Sequence, residues 1–140
     1  MNLEEALAWA EYAINGAFVG QENFQTLGNK SQVLDKLNRA AEAERVMQSA
    51  ISHVTATPIL IHQYGRQLLN AGKNKDALTV FELNAKRFGE QWPTHVGLAR
   101  GYAAAGEKQR ALEHARKALA QAPDALNRAG MEALIRTLTK

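Results

Sequence analysis

The sequence predicts an all-α protein of antiparallel helix hairpins, and three observations carry that reading. Residue types recur every 34 positions from starts at Phe24, Pro58 and Trp92. Asn38, Gly72 and Gly106 fall at the fifteenth position of these segments, where a first helix must end and the chain turn back. The composition is 46% hydrophobic but only 6% aromatic, which suits helices packed through alanine and leucine better than a sandwich of sheets.

The recurrence has a physical grammar. The eighth position reads Ser31, Gly65, Ala99 and the twentieth reads Ala43, Ala77, Ala111. Small side chains at both places let two antiparallel helices approach closely. Larger groups at the eleventh position, Leu34, Leu68 and Tyr102, fill the space beside that contact. So do Met47 and Phe81 at the twenty-fourth, where the third segment has Ala115.

Taken along the chain, residues 1–15 come first. Glu4-Glu5-Ala6-Leu7, then Ala10, Ala13 and Ile14, read like a second helix without its first, leaving part of Leu3, Leu7, Trp9 and Ile14 uncovered. From Ala6 to Ala43 is 37 residues, three more than the period; the excess fits a loop from Asn15 to Asn23 with Gly16, Phe18 and Gly20. Residues 24–57 form the first and most divergent repeat. Lys30 stands at its seventh, normally apolar position, and Thr55 where a closing proline is expected.

Residues 58–91 form the second repeat, opened by Thr57 as N-cap and Pro58 at the first helical position. It departs at Asn84, where a small residue is expected, and at Gly89, which replaces the proline. Residues 92–125 form the third and most regular repeat, opened by Gln91-Trp92-Pro93 and closed by Pro123. Residues 126–140 make a closing helix capped by Asp124, with Ala129, Ala133 and Leu134 turned to the third repeat and Arg128, Glu132 and Arg136 to solvent.

The spacing and these small and large positions resemble the tetratricopeptide repeat family, whose unit is a 34-residue helix pair. That resemblance implies an α-solenoid of about eight helices winding as a right-handed superhelix. More narrowly, the chain is similar to the C-terminal helical region of a bacterial family that carries an N-terminal, largely β domain of unassigned function and often an export signal. Four stretches carry this match: Ala10 to Ile14, Phe18 to Phe24, Ile61 to Leu69, and Trp92 to Tyr102. It implies that the leading helix was cut from a longer parent, one often exported to the periplasm.

The chemistry classes narrow further. Seventeen basic and fourteen acidic residues, a net charge of +3, are scattered along helices without interleaved aromatics, which argues against a nucleic-acid partner. There is no cysteine, so disulfide and thiolate chemistry are excluded. No stretch approaches the roughly 20 apolar residues of a membrane span. No phosphate loop, dinucleotide fingerprint or metalloprotease motif occurs, so no catalytic, cofactor or metal residue is assigned. His62 and His95 lie near corresponding repeat positions and read as neighbours on one face, but no carboxylate recurs at the phase a metal site needs. Asn29-Lys30-Ser31 is a formal glycosylation triplet inside a helix, with Ser31 facing inward.

The expected function is therefore non-catalytic: capture of a peptide or protein surface, acidic in character, in a concave groove. In such arrays the second, fifth, ninth and twelfth positions of the first helices line that groove. Here they include Gln32 and Asp35, then His62, Arg66 and Leu69, then Val96 and Arg100. Gln32, Arg66 and Arg100 form a ladder in register, and guanidinium forks suit carboxylates. Some relatives clamp chaperone tails with Lys and Asn; the matching positions here are Gly28, Gln32, Gln63, Pro93 and Gly97, none of which fits. The second reading is an accessory domain that docks on its own parent, or a homodimer through the N-terminal helix.

Overall fold

The computed structural model describes residues 2–16 and 20–140; Phe18 and Val19, part of the expected loop and of one matching stretch, lie outside the described residues. Eight helices and no strand occur among them: α1 Leu3–Asn15, α2 Phe24–Lys36, α3 Ala40–Ser52, α4 Pro58–Asn70, α5 Asn74–Phe88, α6 Trp92–Ala104, α7 Lys108–Ala120 and α8 Ala125–Leu138. The first helices α2, α4 and α6 begin 34 residues apart, at the residues from which the sequence period was counted. The second helices α3, α5 and α7 keep the same spacing. Two compact units result, residues 1–56 and 57–140.

Within each hairpin the turn is made by the fifteenth position. Asn38, Gly72 and Gly106 all adopt positive φ, 60°, 76° and 79°. The following amide then reaches back to the first helix: Arg39 N–H to the Leu34 carbonyl, Lys73 to Leu68 and Glu107 to Tyr102, each at 2.9 Å. These bonds satisfy carbonyls that the helix end would otherwise leave unpaired.

In the first unit, α2 packs against both α1 and α3. Leu7, Leu34 and Ala43 form one cluster of its core, with Val33, Leu37 and Val46 packed around them. Ser31 is buried, and its hydroxyl donates to the Ala43 carbonyl at 2.7 Å, joining the eighth and twentieth positions directly. Lys30, the polar intruder of the first repeat, forms an ion pair with Glu11 of α1 at 3.5 Å. Thr55 stands in for the missing proline in another way, since its hydroxyl accepts the N–H of Phe24 at 2.8 Å. On α1, Leu7 and Ile14 turn inward, whereas Leu3 and Trp9 stay exposed.

In the second unit, α4, α5 and α6 pack together, α6 pairs with α7, and α7 with α8. Phe81 of α5 is the largest fully buried side chain. A β-carbon built on Gly65 would stand 2.3 Å from its ring, and one built on Gly97 would stand 2.5 Å away. Two first helices therefore give up a side chain so that one ring can fill the space. Burying such a ring stabilises the unit by roughly 1.5–3 kcal/mol. Asn84 is fully buried, and its amide donates to the Pro58 carbonyl at 3.0 Å. Gly89 ends α5 at φ 76°, which supplies the stop expected of proline.

The closing helix departs from expectation in detail. Asp124 accepts the Asn127 N–H at 2.8 Å, as a cap should. The residue driven inward, however, is Met131, in a core with Val96 and Ala118; Leu134 packs beside it, while Ala129 and Ala133 are exposed. Methionine's length reaches the α6–α7 contact, which an alanine methyl cannot. No helix among the described residues is long and apolar enough to cross a membrane.

Candidate functional site

Helices α4, α6 and α8 enclose a cavity of about 400 Å³. Four of the residues expected in a groove line it: His62 and Arg66 from α4, and Val96 and Arg100 from α6. Helical geometry explains the set, because residues four apart sit one turn above each other on the same face. Leu69 continues α4 beyond the cavity lining. Gln32 and Asp35 belong to α2 of the first unit and are not among the residues lining this cavity.

The rest of the lining was not read from the sequence as functional. Trp92 and Pro93 open α6, and Ile59 and Gln63 share with His62 and Arg66 one face of α4. Leu126, Asn127 and Met131 come from α8. Trp92 and Pro93 read as helix-start signals, and α8 as a cap. Only the folding of α8 back over α6 makes these residues a wall.

The electrostatics of the cavity are one-sided. Arg66 and Arg100 are its two cationic side chains, and no carboxylate lines it. Among the described residues neither arginine forms an ion pair. Burial and then the neighbouring Arg66 push the Arg100 guanidinium below its ordinary pKa. The Nε of Arg100 is buried without a hydrogen-bond partner.

His62 is held neutral. Burial first, then Arg66 and Arg100, push its pKa from 6.5 down to about 4, against the opposing effect of a hydrogen bond to the Pro93 backbone. The Nδ1 is buried and unpartnered. The ring lies 5.7 Å from that of Phe81, on the floor beneath. His62 Nδ1 and Arg100 Nε are thus both buried without a hydrogen-bond partner, an arrangement that costs stability.

The expected neighbour relation between His62 and His95 does not occur. His95 is 1% exposed and turned to α7, where its Nδ1 lies 3.1 Å from that of His114. Tyr102 stacks on His114 at 5.7 Å and donates to Glu82 at 3.2 Å. His62 is the fifth residue of its segment and His95 the fourth, and one residue turns a helix by about 100°. No group of three metal-ligating side chains occurs among the described residues.

Comparison of the chain with family models, curated proteins and solved structures gives no match. Fold and cavity together define an all-helical, repeat-like chain with a basic, half-apolar pocket on the first-helix side of its second unit.

Proposed function

We propose that the chain is a non-catalytic binding module on the tetratricopeptide plan, and that it takes a peptide or protein surface into the cavity between α4, α6 and α8. The observation that carries this reading is the pair Arg66 and Arg100: two guanidiniums line one cavity with no carboxylate on its walls, and that of Arg100 is held below its ordinary pKa by burial and by Arg66. Folding alone does not favour such a pair, because like charges in a half-buried site destabilise each other. A partner bearing negative charge removes that cost, and the apolar wall of Trp92, Val96 and Met131 gives it area to bury. The 34-residue spacing of helix starts and the left-handed turns at Asn38, Gly72 and Gly106 support the repeat plan.

The test is capture on an array of short peptides of graded charge, with the wild-type chain beside an Arg66→Ala/Arg100→Ala variant. Capture should favour acidic peptides, weaken with salt and be lost in the variant. Equal capture by both chains would remove the cavity from the account.

A second reading rests on α1. Trp9 is 63% exposed and Tyr12 48%, their rings packed edge to face at 6.1 Å. Such a patch suits docking on a parent domain or self-association. A sedimentation mass that rises with concentration in the wild type, but not in Trp9→Ser, would favour it.

A further inference from the structure

Met131 and Ala115 show that α8 keeps the repeat phase. Met131 stands 34 residues after Gly97, and Ala115 stands 34 after Phe81. Gly97 yields to the Phe81 ring, so large and small change places between corresponding positions, and both Met131 and Ala115 are buried. Helix α8 begins within one residue of the next 34-residue start, Leu126, and so takes the place of a further first helix. Its fourth, eighth and eleventh positions are Ala129, Ala133 and Arg136, and all three are exposed. In α2, α4 and α6 the same three positions are buried throughout, where the second helix of each pair packs. Helix α1 is the converse case, because it starts 37 residues before α3 and repeats its pattern. Ala6, Trp9 and Ala13 match Ala43, Val46 and Ala50. Ala43 and Ala50 are buried, whereas Ala6 and Ala13 are half-buried and Trp9 is 63% exposed.

We propose that α1 of one copy docks on α8 of a second copy, so that a first and a second helix from separate chains pack as a pair. This rests on the second reading above, self-association through α1, and names the surface that α1 meets. Contacts inside the chain fix the register. Ser31 of α2 bonds to Ala43 of α3, which sets Ala133 opposite Ala6, small against small. His114 of α7 lies against both His95 and Tyr102 of α6, which sets Trp9 between Ala129 and Arg136. The alanine leaves room for the indole, and the guanidinium lies on its face. Arg110 of α7 stands over the Tyr102 ring at 5.1 Å, which sets Glu5 against Arg136. Charge selects this pairing over α1 against α1. Helix α1 carries Glu4, Glu5 and Glu11 and no base, so two copies of it repel. Helix α8 carries Arg128 and Arg136 against the single acid Glu132. Glu5 accepts the Asn2 N–H on one oxygen at 3.3 Å and keeps the other for the arginine. The contact is head to tail, so a pair joined through it leaves one α1 and one α8 for further copies.

The experiment is sedimentation of the full chain over a concentration series. The wild type should form species heavier than a monomer, growing with concentration. Trp9→Ser blocks α1 and Ala133→Glu blocks α8; both sites are exposed, and circular dichroism checks that the helices remain. Each variant alone should associate at least about 30-fold more weakly, the scale of losing a central aromatic anchor. Mixed, the two should form a heterodimer with wild-type affinity and nothing larger, because one supplies an intact α8 and the other an intact α1. Arg136→Glu should weaken self-association, and Glu5→Arg added to the same chain should restore it.

Self-association that Trp9→Ser removes and Ala133→Glu leaves intact would overturn α8 as the partner surface and keep the second reading. Two variants that fail to combine when mixed would overturn the head-to-tail contact in the same way. A wild-type chain that stays monomeric at every concentration would overturn self-association altogether, leaving α1 to another domain and the peptide cavity untouched.

Discussion

The Nδ1 atoms of His95 and His114 lie 3.1 Å apart, across the contact between α6 and α7. One must carry hydrogen and the other a lone pair, so the two rings are not both charged while this bond stands. Burial holds both pKa values below the ordinary 6.5. Nearby acids, Glu90 and Glu113, oppose that shift, and Lys117 reinforces it. As pH falls below 6.5 the unfolded chain takes up these protons first, and folded stability is lost toward the folded pKa values. His62 adds at most about 3 kcal/mol of the same sign between pH 6.5 and 4. The carboxylates with depressed pKa, Glu42, Glu113 and Asp124, act only below about 4.5. Thermal melts should therefore show a falling midpoint from pH 6.5 to 5, with a shallower slope in His114→Gln. A midpoint independent of pH over that window would refute the lowered histidine pKa values.

Phe81 sets the spacing of α4 and α6, because Gly65 and Gly97 both yield to its ring. Gly65→Ala gains up to about 1 kcal/mol of helix propensity but forces overpacking that costs roughly 1–3 kcal/mol. We predict net destabilisation in urea titrations, relieved when Gly65→Ala is combined with Phe81→Leu. Gly130 is the control. A β-carbon there meets nothing within 4 Å, so Gly130→Ala should stabilise α8 by about 0.5–1 kcal/mol.

Gly72 and Gly106 turn their hairpins at φ 76° and 79°. Alanine at either site should cost about 1–2 kcal/mol, through the left-handed backbone alone, since nothing crowds the added methyl. Asn38→Gly, at φ 60°, should be close to neutral by the same measurement.

The hairpins were legible because their signals are local and repeated. Small residues at the eighth and twentieth positions, and Asn or Gly at the fifteenth, place helix starts at Phe24, Pro58 and Trp92. Departures from the pattern carried their own compensation. Lys30 found Glu11, Asn84 found the Pro58 carbonyl, and Thr55 capped Phe24. The site was half legible. Position within the repeat put His62, Arg66, Val96 and Arg100 on one wall, but α8 has no repeat partner from which to infer its phase. Met131 and Asn127 thus became visible only with the tertiary packing, and His95 was misplaced by a single step of helical register.

The binding module is tested most directly by mapping backbone amide shifts of the ¹⁵N-labelled chain while the best-captured acidic peptide is added. The account predicts perturbations concentrated at His62, Gln63, Arg66, Trp92, Val96, Arg100 and Asn127, and absent in Arg66→Ala/Arg100→Ala. Perturbations centred instead on Trp9 and Tyr12 of α1, or on the exposed faces of α5 and α7, with the cavity unmoved, would contradict it.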